Sequence, residues 1–234
     1  MSDVHAVAQP DGTAYGRNPD ANLRRIVRAA QQLGGHFDVV LVTGDVADDA
    51  SHHAYRRVRG LLAGIGDVVL WVPGNHDDPE VMRQVDADAL RSTMVASWQI
   101  VTLDTRWPGR TPGLATSEAL AHLDAELTAA ASRHIAVALH HPPRPPCAHP
   151  DCQVVNREQL LAVLDRHPGV RAVISGHLHH SFHVQHDGVE WIGAPSTCMQ
   201  IEHPSHAHLG EPAAAAQNLQ LNDDGTVTVL TIQA

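Results

Sequence analysis

Short apolar runs alternate with longer amphipathic stretches along most of the chain. Residues 39–42, 68–72, 98–103, 135–139 and 170–174 are rich in Val, Ile and Leu, and each reads as a buried strand. Between them Leu23, Ile26, Val27, Ala30 and Leu33 recur at helical spacing, as do Tyr55, Val58 and Leu62, and later Leu120, Leu123 and Leu127. Asn18-Pro19 supplies an N-cap and a proline at the first helical position, Gly34-Gly35 stops that helix, and Ser51 caps the next. Residues 79–91 predict a third helix and Ser117 starts a fourth. Asn156 with Gln159 predicts a capping box for a helix running to about Arg166.

Strand and helix in turn is the alternation of an α/β chain with a mostly parallel sheet. Past His180 the period shortens. Asp187-Gly188 and Asp224-Gly225 each sit between two strand-like runs, which predicts two hairpins and a second sheet of antiparallel character. No stretch is polar for long enough to be a linker, and 234 residues suffice for one sizeable core, so a single domain over 1–234 is expected.

Residues able to carry chemistry collect where these runs end, as binding and catalytic groups do in sheets connected by helices. Thr43-Gly44-Asp45, Pro73-Gly74-Asn75-His76-Asp77, Leu139-His140-His141-Pro142-Pro143 and Ser175-Gly176-His177-Leu178-His179-His180 each follow an apolar run. Ser2-Asp3-Val4-His5 opens the chain. In an extended segment residues i and i+2 face the same way, so Asp3 with His5, and His177 with His179, can aim two side chains at one place. Asp, Asn and His together suit Mn, Fe or Zn. Two divalent ions about 3.5–4 Å apart can share one carboxylate and clamp both the attacking and the leaving oxygen of a phosphoryl displacement. Asp45 is the natural bridge.

The order Asp-x-His, Gly-Asp, Gly-Asn-His-Asp, His-His-Pro, Gly-His-x-His resembles the calcineurin-like metallophosphoesterase superfamily. Thr43-Gly44-Asp45-Val46-Ala47-Asp48, Leu103-Asp104-Thr105 and Ala194-Pro195-Ser196-Thr197-Cys198 make the chain similar to the bacterial class III cyclic-nucleotide phosphodiesterases within it. The likeness spans nearly the whole chain and thins after about residue 203. It implies a four-layer α/β/β/α sandwich of two mixed sheets, with a dinuclear metal site at strand ends. It also implies that Asp3, His5, Asp45 and His179 hold one ion and Asp45, Asn75, His140 and His177 the other, with His141 as the alternative to His140. Asn75, His76 and His179 would contact substrate. A metal-bridging hydroxide would attack while His76, supported by Asp77, protonates the leaving alkoxide; Asp104 would be a supporting residue. The reaction so implied is hydrolysis of 3′,5′-cyclic AMP to AMP with two divalent ions, Fe/Mn or Zn. A broader phosphoesterase of the same chemistry and a metal-binding scaffold without catalysis are the alternatives, and the intact His76 speaks against the scaffold.

Composition narrows the partners. A formal charge of −10 argues against nucleic acid or an anionic membrane surface, both of which need clustered Lys and Arg. The expected partner is a small cyclic nucleotide, and a homodimer is left open. Three Cys in no secreted framework, no 18-residue apolar run and no apolar middle in residues 1–20 make the cytoplasm the expected location. Cys147-x-His149-x-x-Cys152 reads as a surface loop with incidental Cys rather than a zinc site. His203, His206 and His208 read as part of a mobile tail within 203–216. Residues 6–17 read as a loop that either brings Tyr15 and Arg17 to the substrate or is plainly solvated. Only two residues precede Asp3, where the family places an apolar strand. The expectation is therefore that this strand lies upstream of Met1, and that untied Asp3 and His5 hold their metal weakly.

Overall fold

A computed structural model describes residues 1–88, 90–130, 134–201 and 213–234. Among these residues five α-helices and ten strands stack in four layers, so the α/β/β/α expectation holds. The outermost layer is α1 (Pro19–Gly34), α2 (His52–Leu62) and α3 (Pro79–Val85). Beneath them lie β1 (Phe37–Val42) paired parallel with β2 (Gly66–Trp71), and β9 (Ala215–Leu221) paired antiparallel with β10 (Val227–Gln233). The third layer is one six-stranded sheet in the order β3-β4-β5-β6-β8-β7. Its strands are β3 (Thr93–Val95), β4 (Trp98–Leu103), β5 (His134–Leu139), β6 (Val170–Ser175), β7 (Phe182–His186) and β8 (Val189–Gly193). The last layer is α4 (Ser117–Ala129) and α5 (Arg157–Leu164).

Alternation along each strand divides the core between the layers. Val40 and Val42 of β1 and Trp71 of β2 face the helices, against Leu23, Tyr55, Val58, Leu62 and Met82. Val39, Leu41 and Leu70 face the six-stranded sheet, against Ile100, Ala136, Ala138 and Ile174. On its far side that sheet buries Val101, Val137 and Val173 under Leu123, Leu127, Leu160 and Leu164 of α4 and α5.

The helix ends follow the caps read from the sequence. Asn18 accepts from the Ala21 N–H at 2.8 Å, Ser51 accepts from the Ala54 N–H at 3.2 Å, and Gly35 leaves α1 at φ 73°. Several expectations need correction. The helix expected over 79–91 ends at Val85, because Asp86 turns extended and its side chain pairs with Arg59. The two hairpins do not share a sheet: β7 and β8 join the six-stranded sheet through the parallel β6–β8 pairing, and β9 with β10 stands apart. Cys147 and Cys152 are bonded to each other rather than incidental, the turn Pro150–Cys152 bringing their Cα atoms to 6.1 Å. Of the tail expected over 203–216, residues 203–212, with His203, His206 and His208, lie outside the described residues, while Ala215 and Ala216 are buried in β9. Among the described residues no helix is long and apolar enough to cross a membrane.

The capping box at α5 is also not formed. Asn156 makes no cap bond; its side chain accepts from the Ala115 N–H at 3.0 Å and donates to the Ala115 carbonyl at 2.7 Å and to Gln159 at 2.8 Å. It therefore clamps the approach to α4 instead of starting α5. Urea unfolding should show Asn156→Ala costing about 1–3 kcal/mol, the range for leaving backbone groups unsatisfied. Exposed Gln159→Ala should stay within about 0.5 kcal/mol. Equal losses would restore the capping box.

Candidate metal centre

Four of the five chemistry-bearing segments begin where a strand gives out, and all five meet over one end of the two β layers. β1 delivers Asp45, β2 delivers Asn75 and His76, β5 delivers His140, and β6 delivers His177 and His179. Asp3 and His5 arrive without a strand of their own, yet they are tied. The Asp3 N–H donates to the Gly44 carbonyl at 3.0 Å, His5 N–H to Asp45 at 2.9 Å and Ala6 N–H to Val46 at 3.1 Å. From the other side the Ser196 hydroxyl donates to the Asp3 carbonyl at 2.8 Å, and the Thr197 N–H to the Ser2 carbonyl at 2.9 Å. Asp3 and His5 are buried, so the mobility expected of an untied start does not arise. The Ala194-Pro195-Ser196-Thr197-Cys198 segment thus acts as a clasp on residues 2–3.

The ligand atoms converge. His5 Nε2 lies 3.0 Å from His179 Nε2 and 3.7 Å from Asp45 Oδ2, and His179 Nε2 lies 3.4 Å from Asp3 Oδ1. On the other side of Asp45, His140 Nε2 is 3.4 Å from Asp45 Oδ2 and 3.2 Å from Asn75 Oδ1. His177 packs its ring 5.0 Å from that of His140 and 4.6 Å from that of His141. Among the described residues, four threefold groups have ligand atoms within 4.8 Å of one another: Asp3, His5 and His179; Asp3, Asp45 and His140; His5, Asp45 and His76; His140, His141 and His177. Asp45 is shared by the middle two. His141 is turned away, with Nδ1 on Thr105 at 2.9 Å and Nε2 on the Thr111 carbonyl at 3.0 Å, which leaves His140 as the member facing Asp45.

The outer nitrogens decide what the inner ones are. His140 Nδ1–H donates to the Thr43 carbonyl at 2.7 Å, His179 Nδ1–H to the Met199 carbonyl at 2.9 Å and His5 Nδ1–H to Asp48 at 3.0 Å. With those protons outside, each imidazole in its neutral form presents an Nε2 lone pair inward, toward carboxylate and amide oxygens that are also acceptors. Acceptors facing acceptors in a buried pocket repel unless a cation lies between them, so the residues present fit a pair of divalent ions.

The titrating groups report the same crowding. Burial by itself would raise the carboxyls, but His179 holds Asp3 below the usual carboxylate range, and His140 and His5 hold Asp45 well below it. Burial works against charge on His140, yet Asp45 and Asp3 outweigh it and push it up to about 9. Burial, then His140, lowers His177 to about 4.

The backbone is strained at the same place. Among the described residues, five of the nine non-glycine residues with positive φ are Asp3, His5, Asp45, His177 and His179, at 49–71°. Each such residue costs on the order of 1–3 kcal/mol, which the surrounding structure must supply. Neighbouring glycines make room: a Cβ on Gly74 would strike the Asp45 carboxylate, one on Gly44 the His140 ring, and one on Gly176 the Ser2 hydroxyl and Thr43 carbonyl.

His76 sits at the rim. Its N–H donates to Asp45 at 2.9 Å, and its Nδ1 faces the Asp48 carboxylate at 3.2 Å and the Asp48 carbonyl at 3.3 Å. Asp48, not Asp77, is therefore its partner. Asp77 instead accepts from the N–H groups of Val46, Ala47 and Gly74 and from the Tyr55 hydroxyl, and burial followed by the Asp45 charge raises it to about 6. The signal for Asp48 was present in the Asp-x-x-Asp spacing after Gly44. Asp104 turns outward to Arg106. Tyr15, at φ 51°, stands edge-on to His5 at 5.0 Å, whereas Arg17 is exposed and pairs with Ala14 through backbone alone.

Known proteins resemble this chain in sequence and in fold. The family described as calcineurin-like phosphoesterase matches residues 1–181. A 3′,5′-cyclic adenosine monophosphate phosphodiesterase of Escherichia coli is 31% identical over 97% of this chain and 86% of its own length. A cAMP/cGMP dual specificity phosphodiesterase of Mycobacterium tuberculosis is 34% identical over 85% of this chain and 66% of its own length. Among solved structures, a dimetal phosphatase from Danio rerio superposes with a TM-score of 0.70 at 20% identity, covering 100% of this chain and 97% of that one, which shows the fold.

Because the cation-free His140 holds its proton up to about 9, a cation that takes its Nε2 must expel that proton at lower pH. Mn or Zn titrated calorimetrically into the cation-free chain at about pH 7 should release protons to the buffer, with apparent affinity falling as the pH is lowered. Heats independent of the buffer and an affinity flat across that range would mean that His140 is not displaced.

Proposed function

The chain belongs to the calcineurin-like phosphoesterase family, and on that premise we propose that it hydrolyses the phosphodiester of a 3′,5′-cyclic nucleotide, with cyclic AMP as substrate and AMP as product. The observation that carries this reading is the acceptor cluster around Asp45 with His76 at its rim, its Nδ1 on Asp48. The names of the relatives, cyclic-nucleotide phosphodiesterases aligned over most of this chain, support the substrate class. The dual-specificity relative makes a cyclic GMP activity the second reading.

In this reading Asp3, His5, Asp45 and His179 hold one divalent ion and Asp45, Asn75, His140 and His177 the other. When bound, such ions supply Lewis-acid charge to the phosphate and make water nucleophilic at neutral pH. The chain's own residues do the rest. The Asn75 amide, His179 and His76 orient the phosphate. Asp48 holds the His76 Nδ1–H, which leaves Nε2 to give a proton to the leaving 3′-oxygen. Tyr15 closes one side of the pocket over His5. Burial, then Asp48 and Asp45, push its hydroxyl up to about 12, so it meets substrate as a neutral phenol.

His76→Ala should lower kcat on a cyclic nucleotide by roughly 10²–10⁴-fold, the range for general acid catalysis, and Asp48→Ala should follow in the same direction. Hydrolysis of bis-p-nitrophenyl phosphate, whose leaving group needs no proton, should fall far less. Equal losses on both substrates would make His76 electrostatic rather than a proton donor.

Asp45→Ala should remove nearly all activity and both ions, because it strips the shared carboxylate and leaves the remaining site unbridged. Asn75→Ala removes one neutral oxygen and should keep measurable turnover, with metal content read by emission spectrometry. Similar, mild losses from the two would sink the bridging role.

A further inference from the structure

His177 differs from the other imidazoles of the site in what holds its outer nitrogen. His5, His140 and His179 each give Nδ1–H to a partner beside the exit of β1 or just after the Ser196 clasp. His177 does the reverse: its Nε2–H donates to the Asp151 carbonyl at 2.6 Å. A neutral imidazole carries one ring proton, so this bond leaves the lone pair on Nδ1. The carbonyl that decides the matter belongs to no strand. It lies inside the ring that the Cys147–Cys152 bond closes.

That ring has few other anchors. Within it the His149 N–H donates to Cys147 Sγ at 3.4 Å, the Asp151 N–H to His149 Nδ1 at 3.3 Å and the Cys152 N–H to the His149 carbonyl at 3.0 Å. Among the described residues, the bond to His177 is the one hydrogen bond that leaves 147–152. Just beyond the ring the Gln153 carbonyl accepts from the Gly113 N–H at 3.0 Å. On the other side four of the five residues 142–146 are prolines, which have no N–H to give. The disulfide therefore supplies the tie on that side. Cys152 is buried, while Cys147 is only half-buried and open to a reagent.

We propose that Cys147 and Cys152 form a redox modification site, whose bond holds the Asp151 carbonyl on His177 and so prepares His177 for the second divalent ion. This inference rests on the two-ion reading of the site. Loss of the outer partner of a metal-ligating imidazole typically weakens metal binding by about 10–100-fold. Opening the ring takes a dithiol. Its thiolate attacks Cys147 Sγ, the S–S bond breaks, and Cys152 leaves as a thiolate that takes up a proton. The second thiolate of the reagent then displaces Cys147, which is protonated in turn. The reagent ends as a disulfide, having passed two electrons and two protons to the protein. With the ring open, the Asp151 carbonyl loses its fixed place and His177 populates both tautomers.

The tautomer is read by NMR of the ring nitrogens in the cation-free full chain, with His177 assigned through His177→Gln. The oxidised chain should show Nε2–H alone. The chain reduced with dithiothreitol and desalted without air should show both tautomers, as should the double variant Cys147→Ser, Cys152→Ser. A low-molecular-weight disulfide should return the reduced chain, but not the double variant, to Nε2–H. Mn titrated into the same samples should bind about tenfold more weakly at the second ion in the open forms, with the first ion unchanged. Equal second-ion affinity before and after reduction would overturn the proposal, as would an unchanged tautomer or two thiols at 147 and 152 that no disulfide reagent closes. A tautomer change with no second ion bound in either state would uphold the hold on His177 and refute the two-ion reading instead. If the double variant fails to fold, the reduced and reoxidised chain decides alone.

Discussion

Acceptor atoms that face one another in a buried pocket set the terms for this structure. The carboxylates of Asp3 and Asp45, the Asn75 oxygen and, while the imidazoles are neutral, the Nε2 atoms of His5, His140 and His179 have nothing to donate to each other, and all but Asn75 are buried. Burying charge without a partner is expensive, so the site is stable only to the extent that positive charge occupies its centre. Protons do this partially, as the raised His140 shows; divalent ions would do it better and leave the imidazoles neutral. Carbonyls of Thr43 and Met199 and the carboxylate of Asp48 fix the outer nitrogens, so the inner ones cannot turn away.

The scaffold tolerates that arrangement because it is stiff where the residues emerge. Positive φ at Asp3, His5, Asp45, His177 and His179 bends the chain sharply at these positions, and Asp3, His5, Asp45 and His179 turn inward while the His177 Nε2 meets the Asp151 carbonyl at 2.6 Å. The strain is held by sheets buried on both faces. Gly44, Gly74 and Gly176 give up side chains where the five segments come into contact.

The site also straddles two layers. Asp45, Asn75 and His76 issue from the split layer, His140 and the His177/His179 pair from the six-stranded sheet. Their spacing is therefore set by the packing of Leu41 and Leu70 on Ala138 and Ile174, remote from any chemistry. Residues 1–6 are hydrogen-bonded along β1 and its exit, and Ser2 and Asp3 also to the Ser196–Thr197 clasp.

Patterns local to a few residues were readable in the chain itself. Apolar runs, Asn18-Pro19 and Ser51 marked strands and helix starts, because burial period and capping depend on neighbours in sequence. The Asp, Asn and His stations after those runs marked the metal centre for the same reason. Asn156 and Asp77 carried equally good local signals, yet their bonds go to Ala115 and to the backbone of Val46 and Ala47, partners set only by how distant segments pack. The choice of His140 over His141, the pairing of His76 with Asp48, and the separation of the two hairpins into different layers were likewise decided by tertiary structure. Sequence determined which side chains stand at strand ends; only the packing of sheet on sheet decided which of them meet, since a hydrogen bond or a shared ion needs atoms within a few ångströms and chain distance carries no such information.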